Sequence, residues 1–135
     1  RALPPLALAF HGVADVPLRQ DPQGLFVSPE ELRRHLYRLR DWGYRLVTFG
    51  RLAELAADGR AGGHAALTFD DGPHHDATPL VLAVLRRHRV RATFFVLGEQ
   101  LAYAPRLGRA LADDGHEVAV HGWDHRCLLR RGPSA

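Results

Sequence analysis

Two polar clusters in this 135-residue chain carry residue types suited to hydrolytic chemistry. Thr68-Phe69-Asp70-Asp71-Gly72-Pro73 sets two carboxylates side by side, and His121-Gly122-Trp123-Asp124-His125 sets two imidazoles four residues apart. Two imidazoles and one carboxylate make a facial set that leaves positions open on a divalent metal, which polarises a carbonyl and lowers the pKa of bound water. A second carboxylate beside such a site can act as base. Adjacent residues at a strand end point in different directions, so Asp70 and Asp71 can divide the work, one facing the water and the other the metal. Gly72 and Pro73 turn the chain sharply, and His121 and His125 face one point if their segment turns helically. Taken singly, Asp-Asp-Gly-Pro is more often a turn with a helix N-cap, and His-x-x-x-His is weaker still. The joint placement of the two clusters, each closing an apolar run, favours a site.

Those runs belong to an alternating pattern. Ala66 to Phe69 and His116 to Val120 read as short strands, as does the continuous apolar run from Ala92 to Leu97. Between them, Asp76 to Arg89 has Leu80, Val81, Val84 and Leu85 at helical spacing, and Ala104 to Asp114 is helical up to Gly115. The first half repeats the theme. Leu6 to Phe10 is a strand ending in His11, and Pro29 to Trp42 is a helix with Ser28 as N-cap, Pro29 at N1, and Leu32, Leu36 and Leu39 along one stripe. Arg45 to Phe49 is a strand, Leu52 to Ala57 a short helix, and Gly59 to Gly63 an αβ loop. Five strands and four helices in one domain result. Right-handed crossovers make such strands parallel, so their C-terminal ends share one rim where Asp70, Asp71, His121, His125 and His11 converge. A complete (β/α) barrel takes roughly 250 residues, so the expectation is a partial one whose C-terminal part is missing.

Composition narrows the function classes. Hydrophobic residues make up 46% of the chain, ample for a core, and no segment approaches the length of a membrane span. All 18 basic residues are arginines, scattered over several helix faces, which resembles compositional bias more than a nucleic-acid footprint. The densest run, Arg86-Arg87-His88-Arg89, falls at a helix C-terminus, where cations favour the macrodipole. The single Cys127 cannot form an internal disulfide and reads as a small packed residue. Oligomeric state is not legible.

The same residues carry a resemblance. Thr-Phe-Asp-Asp-Gly-Pro, then Ala92-Thr93-Phe94-Phe95-Val96-Leu97-Gly98, then Gly115-His116-Glu117-Val118-Ala119-Val120-His121-Gly122-Trp123-Asp124-His125, is similar to the polysaccharide deacetylases with the NodB homology domain, carbohydrate esterase family 4. The likeness runs from about Ala65 to Leu128. It implies an α/β fold of the distorted deacetylase barrel type, here about five parallel strands of it. It also implies Asp70 as general base, Asp71, His121 and His125 as ligands of zinc or a similar divalent ion, and removal of acetyl from N-acetylated glycans by attack of metal-bound water. An extracytoplasmic address is what the family suggests.

Departures from the pattern matter too. Gly122 stands where the family usually has Ser or Thr, so a side-chain hydrogen bond supporting that loop is lost, and the arginine-proline motif that orients the base is not found before Ala135. The opening Phe10-His11-Gly12-Val13, with Val27 to Leu39 and Gly43-Tyr44-Arg45, is similar to a circularly permuted branch acting on poly-N-acetylglucosamine. There His11 would protonate the leaving amine; the bland alternative is a strand-end histidine satisfied by backbone. His74 and Trp123 are candidate substrate contacts, His74 (like His75) because it follows the Asp-Asp loop, where histidines are commonly just solvated, and Trp123 because a flat ring can stack on a sugar face, although it could equally be core. Phe94 and Phe95 read as packing. Two other functions are weighed: a metal-dependent hydrolase of a small amide or cyclic ureide, and a carbohydrate-binding pseudoenzyme or inactive fragment.

Overall fold

Seven consecutive residues, His64–Asp70, form the longest strand (β5), and its alternation organises the rest. Ala65, Leu67 and Phe69 face one hydrophobic cluster, whereas Ala66 belongs to a second, so the two faces of β5 pack against different elements. A computed structural model gives these positions and describes residues 2–13, 19–20 and 26–125.

β5 is flanked on one side along its length by β1 (Leu6–Phe10), in parallel register from Leu6↔Ala65 to Phe10↔Phe69. Its other edge is shared. β4 (Arg45–Val47) pairs with residues 64–66, and β6 (Thr93–Val96) pairs with residues 68–70. β7 (Glu117–Val120) lies parallel to β6, completing a sheet of five parallel strands. Two further two-residue strands, β2 (Gly12–Val13) and β3 (Phe26–Val27), pair with each other apart from this sheet.

Helix α1 (Pro29–Asp41) forms as its sequence dictates. Ser28 Oγ accepts from Glu31 N–H while the Glu31 carboxylate accepts from Ser28 N–H, a capping box with Pro29 at the first position. Leu32, Leu36 and Leu39 are buried on the predicted stripe, against α3 (Ala77–His88) and the outer face of the sheet. Phe10, Phe69 and Phe94 stack across three adjacent strands at centroid distances of 5.3 and 5.1 Å within the same core. Such stacked rings add about 0.5–1.5 kcal/mol per pair beyond their burial.

The structure corrects several boundaries. The strand expected over Arg45 to Phe49 stops at Val47, because Thr48 Oγ1 accepts from Arg51 N–H and caps α2 (Phe49–Ala57), which therefore starts earlier than Leu52. Two more N-terminal amides of α2 find partners on the sheet. Phe49 N–H donates to Thr93 Oγ1 and Gly50 N–H to the Glu117 carboxylate, and a Cβ on Gly50 would collide with that carboxylate. A fifth helix, α4 (Gly98–Tyr103), was not expected; at six residues it is too short to show a hydrophobic period. The helix read as Ala104 to Asp114 is α5 (Pro105–Asp113), with Pro105 at its start. Among the described residues no helix is long and apolar enough to cross a membrane. Cys127 lies outside them.

His88, at the end of α3, is buried edge-on to Tyr37, and Arg40 donates to its carbonyl. Burial, reinforced by Arg40, Arg33 and Arg87, holds its imidazole below the ordinary 6.5. The unfolded chain therefore binds a proton that the folded one refuses, and stability is lost as pH falls below about 6.5 toward the folded value. Thermal melts between about pH 7.5 and about pH 5.5 should show a falling midpoint, and His88→Phe, which keeps the ring contact without the titration, should flatten that fall.

Candidate active site

Both polar clusters lie just past the C-terminal ends of β5 and β7, with β6 between them. Backbone hydrogen bonds from β6 and its exit hold each in place. Asp71 N–H donates to Phe95 O and Leu97 N–H to Gly72 O on the β5 side. On the β7 side His121 N–H donates to Val96 O, Gly98 N–H to Gly122 O, and Glu99 N–H to Trp123 O. Gly122 adopts φ +81°, a left-handed conformation that glycine tolerates and Ser or Thr would resist, so the expected loss of a side-chain bond is met by backbone bonding.

Asp71 also has a positive φ, 69°, which Asp accepts better than most residues. The two neighbouring carboxylates then point to different partners. Asp71 Oδ1 lies 3.3 Å from Nε2 of His121 and 3.3 Å from Nε2 of His125, and one donor atom from each of the three residues falls within 4.8 Å of the others. Asp70 Oδ2 instead lies 3.8 Å from His11 Nε2 at the exit of β1. Asp70, Asp71, His11, His121 and His125 are thus brought together, in two subsets joined by one peptide bond.

Fit to a cation can be judged from the donors themselves. Asp71 Oδ1 is buried and accepts no hydrogen bond from the described residues, although two imidazole nitrogens face it. A buried acceptor without a partner costs about 1–3 kcal/mol. A divalent ion between the three donors would satisfy it, and two nitrogens with one carboxylate oxygen is a set that zinc accepts. The residues fit the ion.

Space for a substrate opens beside them. A cavity of about 340 Å³ is lined by Ala7, Ala9, Phe49, Thr68, Asp70, Phe95 and His121. Phe95, read as packing, is only half-buried and forms part of this wall, its ring edge-on to Phe49 at 5.7 Å. Phe94 does pack in the core, at 4% exposure. On the other side of Asp70 is a recess of about 20 Å³, room for one water or methyl group, bordered by His11, His74, Val81 and Phe94. His74 borders that recess, its N–H bonded to Thr78 Oγ1. His75 meets Tyr103 edge-on at 6.0 Å and is not among the three clustered donors. Trp123 is 59% exposed, its ring against Gly98, which removes the core reading.

Sequence reasoning missed Gly98 and Glu99, whose amides clamp the histidine loop, and Glu117 with Thr93, which anchor α2 beneath the cavity. The one available signal was Gly98 directly after an apolar strand, where close backbone approach demands a missing side chain.

The profile of the polysaccharide deacetylase family matches residues 58–134, more than half of the chain, so the chain belongs to that family. Over 66 residues, 49% of the chain, it is 50% identical to the peptidoglycan-N-acetylglucosamine deacetylase PgdA of Listeria monocytogenes, and over 68 residues it is 53% identical to a chitooligosaccharide deacetylase of Bradyrhizobium. The chain spans 14% and 31%, respectively, of the length of those relatives. In three dimensions, 99% of the chain superposes on 62% of the Streptococcus pyogenes deacetylase PplD, with a TM-score of 0.78 at 17% identity. That likeness concerns the fold, and it makes the five parallel strands part of a deacetylase-type barrel.

A Cβ on Gly98 would come within 2.5 Å of the Trp123 ring. Gly98→Val should therefore displace Trp123 and drag the loop with it. The expected result is a shift of the His121 and His125 ring resonances in NMR with little change at His11.

Proposed function

We propose that the chain forms the metal-binding part of a hydrolase that removes N-acetyl groups from N-acetylglucosamine-containing polysaccharide. The observation that carries this reading is the unpartnered Asp71 Oδ1 between two imidazole nitrogens, with a second carboxylate, Asp70, directed away from it toward His11. Two relatives that share half of the chain are named as deacetylases of N-acetylglucosamine-type glycans, which supports the substrate class.

Asp71, His121 and His125 would hold the ion, zinc by the chemistry of the donors. When bound, it would polarise the amide carbonyl and make water at the site more acidic. Asp70 borders the open cavity and is free to take the proton of an attacking water, since its carboxylate is not among the three clustered donors. His11, 39% exposed and 3.8 Å from Asp70, is positioned to return a proton to the departing amine nitrogen once the tetrahedral adduct collapses. The recess beside both groups has the size of an acetyl methyl. Trp123 offers an exposed ring on the same rim for the face of a sugar. The deacetylase profile ends at residue 134 and starts at residue 58, so His11 is contributed by a segment outside the matched region.

Two measurements test this. Calorimetric titration should give one zinc per folded chain, lost in His121→Ala/His125→Ala; a folded wild type that binds no zinc sinks the metal assignment. With zinc bound, acetate release from N-acetylglucosamine oligomers should fall about 10²–10⁴-fold in Asp70→Asn while zinc stoichiometry is unchanged. Equal turnover in Asp70→Asn would remove Asp70 from the chemistry.

A further inference from the structure

At the opposite end of the sheet, beneath the N-terminal ends of β6 and β7, lies a second cavity of about 360 Å³. Arg86, Arg89 and Arg91 line it together with Asp114 and His116. β6 and β7 are four residues long, so this end lies on the order of 13 Å from the rim that carries the histidine loop.

Two of the three arginines are not consumed by the fold. Arg86 makes a two-pronged pair with Asp114, at 2.5 and 3.2 Å. Arg89 and Arg91 have no carboxylate partner among the described residues, and the end of α3 does not require them as caps. Its last carbonyls are taken by the Arg89 and Val90 amides and, at His88, by Arg40. Arg91 lies over Gly115, its Nε 3.2 Å from where a Cβ would stand, so that glycine makes room for the guanidinium beside His116.

His116 forms the most buried polar part of the lining. It is 8% exposed, and its Nδ1 accepts from Ala92 N–H, which leaves the ring proton on Nε2. That Nε2 is buried without a hydrogen-bond acceptor among the described residues, and the ring meets Phe94 edge-on at 5.3 Å, so it is part of the wall of the cavity and a reporter on it. Three guanidinium groups against one carboxylate leave a surplus of two positive charges around the cavity.

We propose that this cavity binds a small phosphate monoester. A dianionic phosphate matches the surplus charge, guanidinium forks suit its oxygens, and the volume leaves room for the organic part of the ligand. The site is separate from the metal cluster and does not depend on the proposed deacetylase reading.

The test uses the metal-free chain, so that phosphate cannot engage a bound ion. Glycerol 3-phosphate is titrated by calorimetry and by NMR of the His116 Nε2–H. The expected result is saturable one-to-one binding with a shift of that proton. Arg89→Ala/Arg91→Ala should weaken binding by at least about tenfold while zinc stoichiometry stays unchanged. Arg34→Ala/Arg38→Ala removes the same charge from exposed positions on α1 and should leave binding intact. Dimethyl phosphate, a monoanion, should bind more weakly. Absence of binding by the folded chain, binding without a His116 shift, equal loss in both arginine pairs, or a diester that binds as well as the monoester would each overturn the proposal.

Discussion

The site depends on β6 more than on any residue of its own chemistry. Five backbone hydrogen bonds leave this strand and its exit, two toward the Asp-Asp loop and three toward the histidine loop. They set the spacing between segments fifty residues apart in sequence, and through it the approach of Asp71 to His121 and His125. Backbone bonds suit this task because they are short and directional and do not rely on side-chain rotamers. The small residue at Gly98 follows from the same demand, since both its amide and its bare Cα face the loop it holds.

β5 serves packing and chemistry at once. Its outward residues Leu67 and Phe69 join the core beneath α1 and α3, and its inward residues Thr68 and Asp70 reach the cavity. A one-residue slip in register would exchange the two faces, so the aromatic stack of Phe10, Phe69 and Phe94 also fixes which way Asp70 points. Past the strand end the alternation breaks at Asp71, whose left-handed backbone turns its carboxylate toward the histidines and leaves Asp70 to His11.

The two ends of the sheet differ in electrostatic character. The rim gathers carboxylates and imidazoles around an open groove, and the other end gathers guanidinium groups around a cavity bordered by a buried imidazole. The guanidinium set arises where the chain enters β6 and β7, and the rim set where it leaves β1, β5 and β7. The scaffold between them packs its apolar face against α1 and α3, and Glu117, which accepts from Thr93 Oγ1 and Gly50 N–H, anchors α2 to the sheet.

Much of this was legible without coordinates because it is local. The capping box of α1, the leucine stripe and the strand runs at 66–69 and 116–120 follow from spacing and side-chain type, and so does the expectation that parallel strands share a rim. Motif chemistry likewise singled out Asp70, Asp71, His121 and His125. What sequence left open was decided by contacts between distant segments. Whether Trp123 is core or surface depends on Gly98, and the pairing of His11 with Asp70 depends on β1 lying against β5; Phe95, read as packing, lines the groove because α2 sets Phe49 beside it. Periodicity encodes which face of an element is apolar, but only the assembled sheet decides what stands opposite that face.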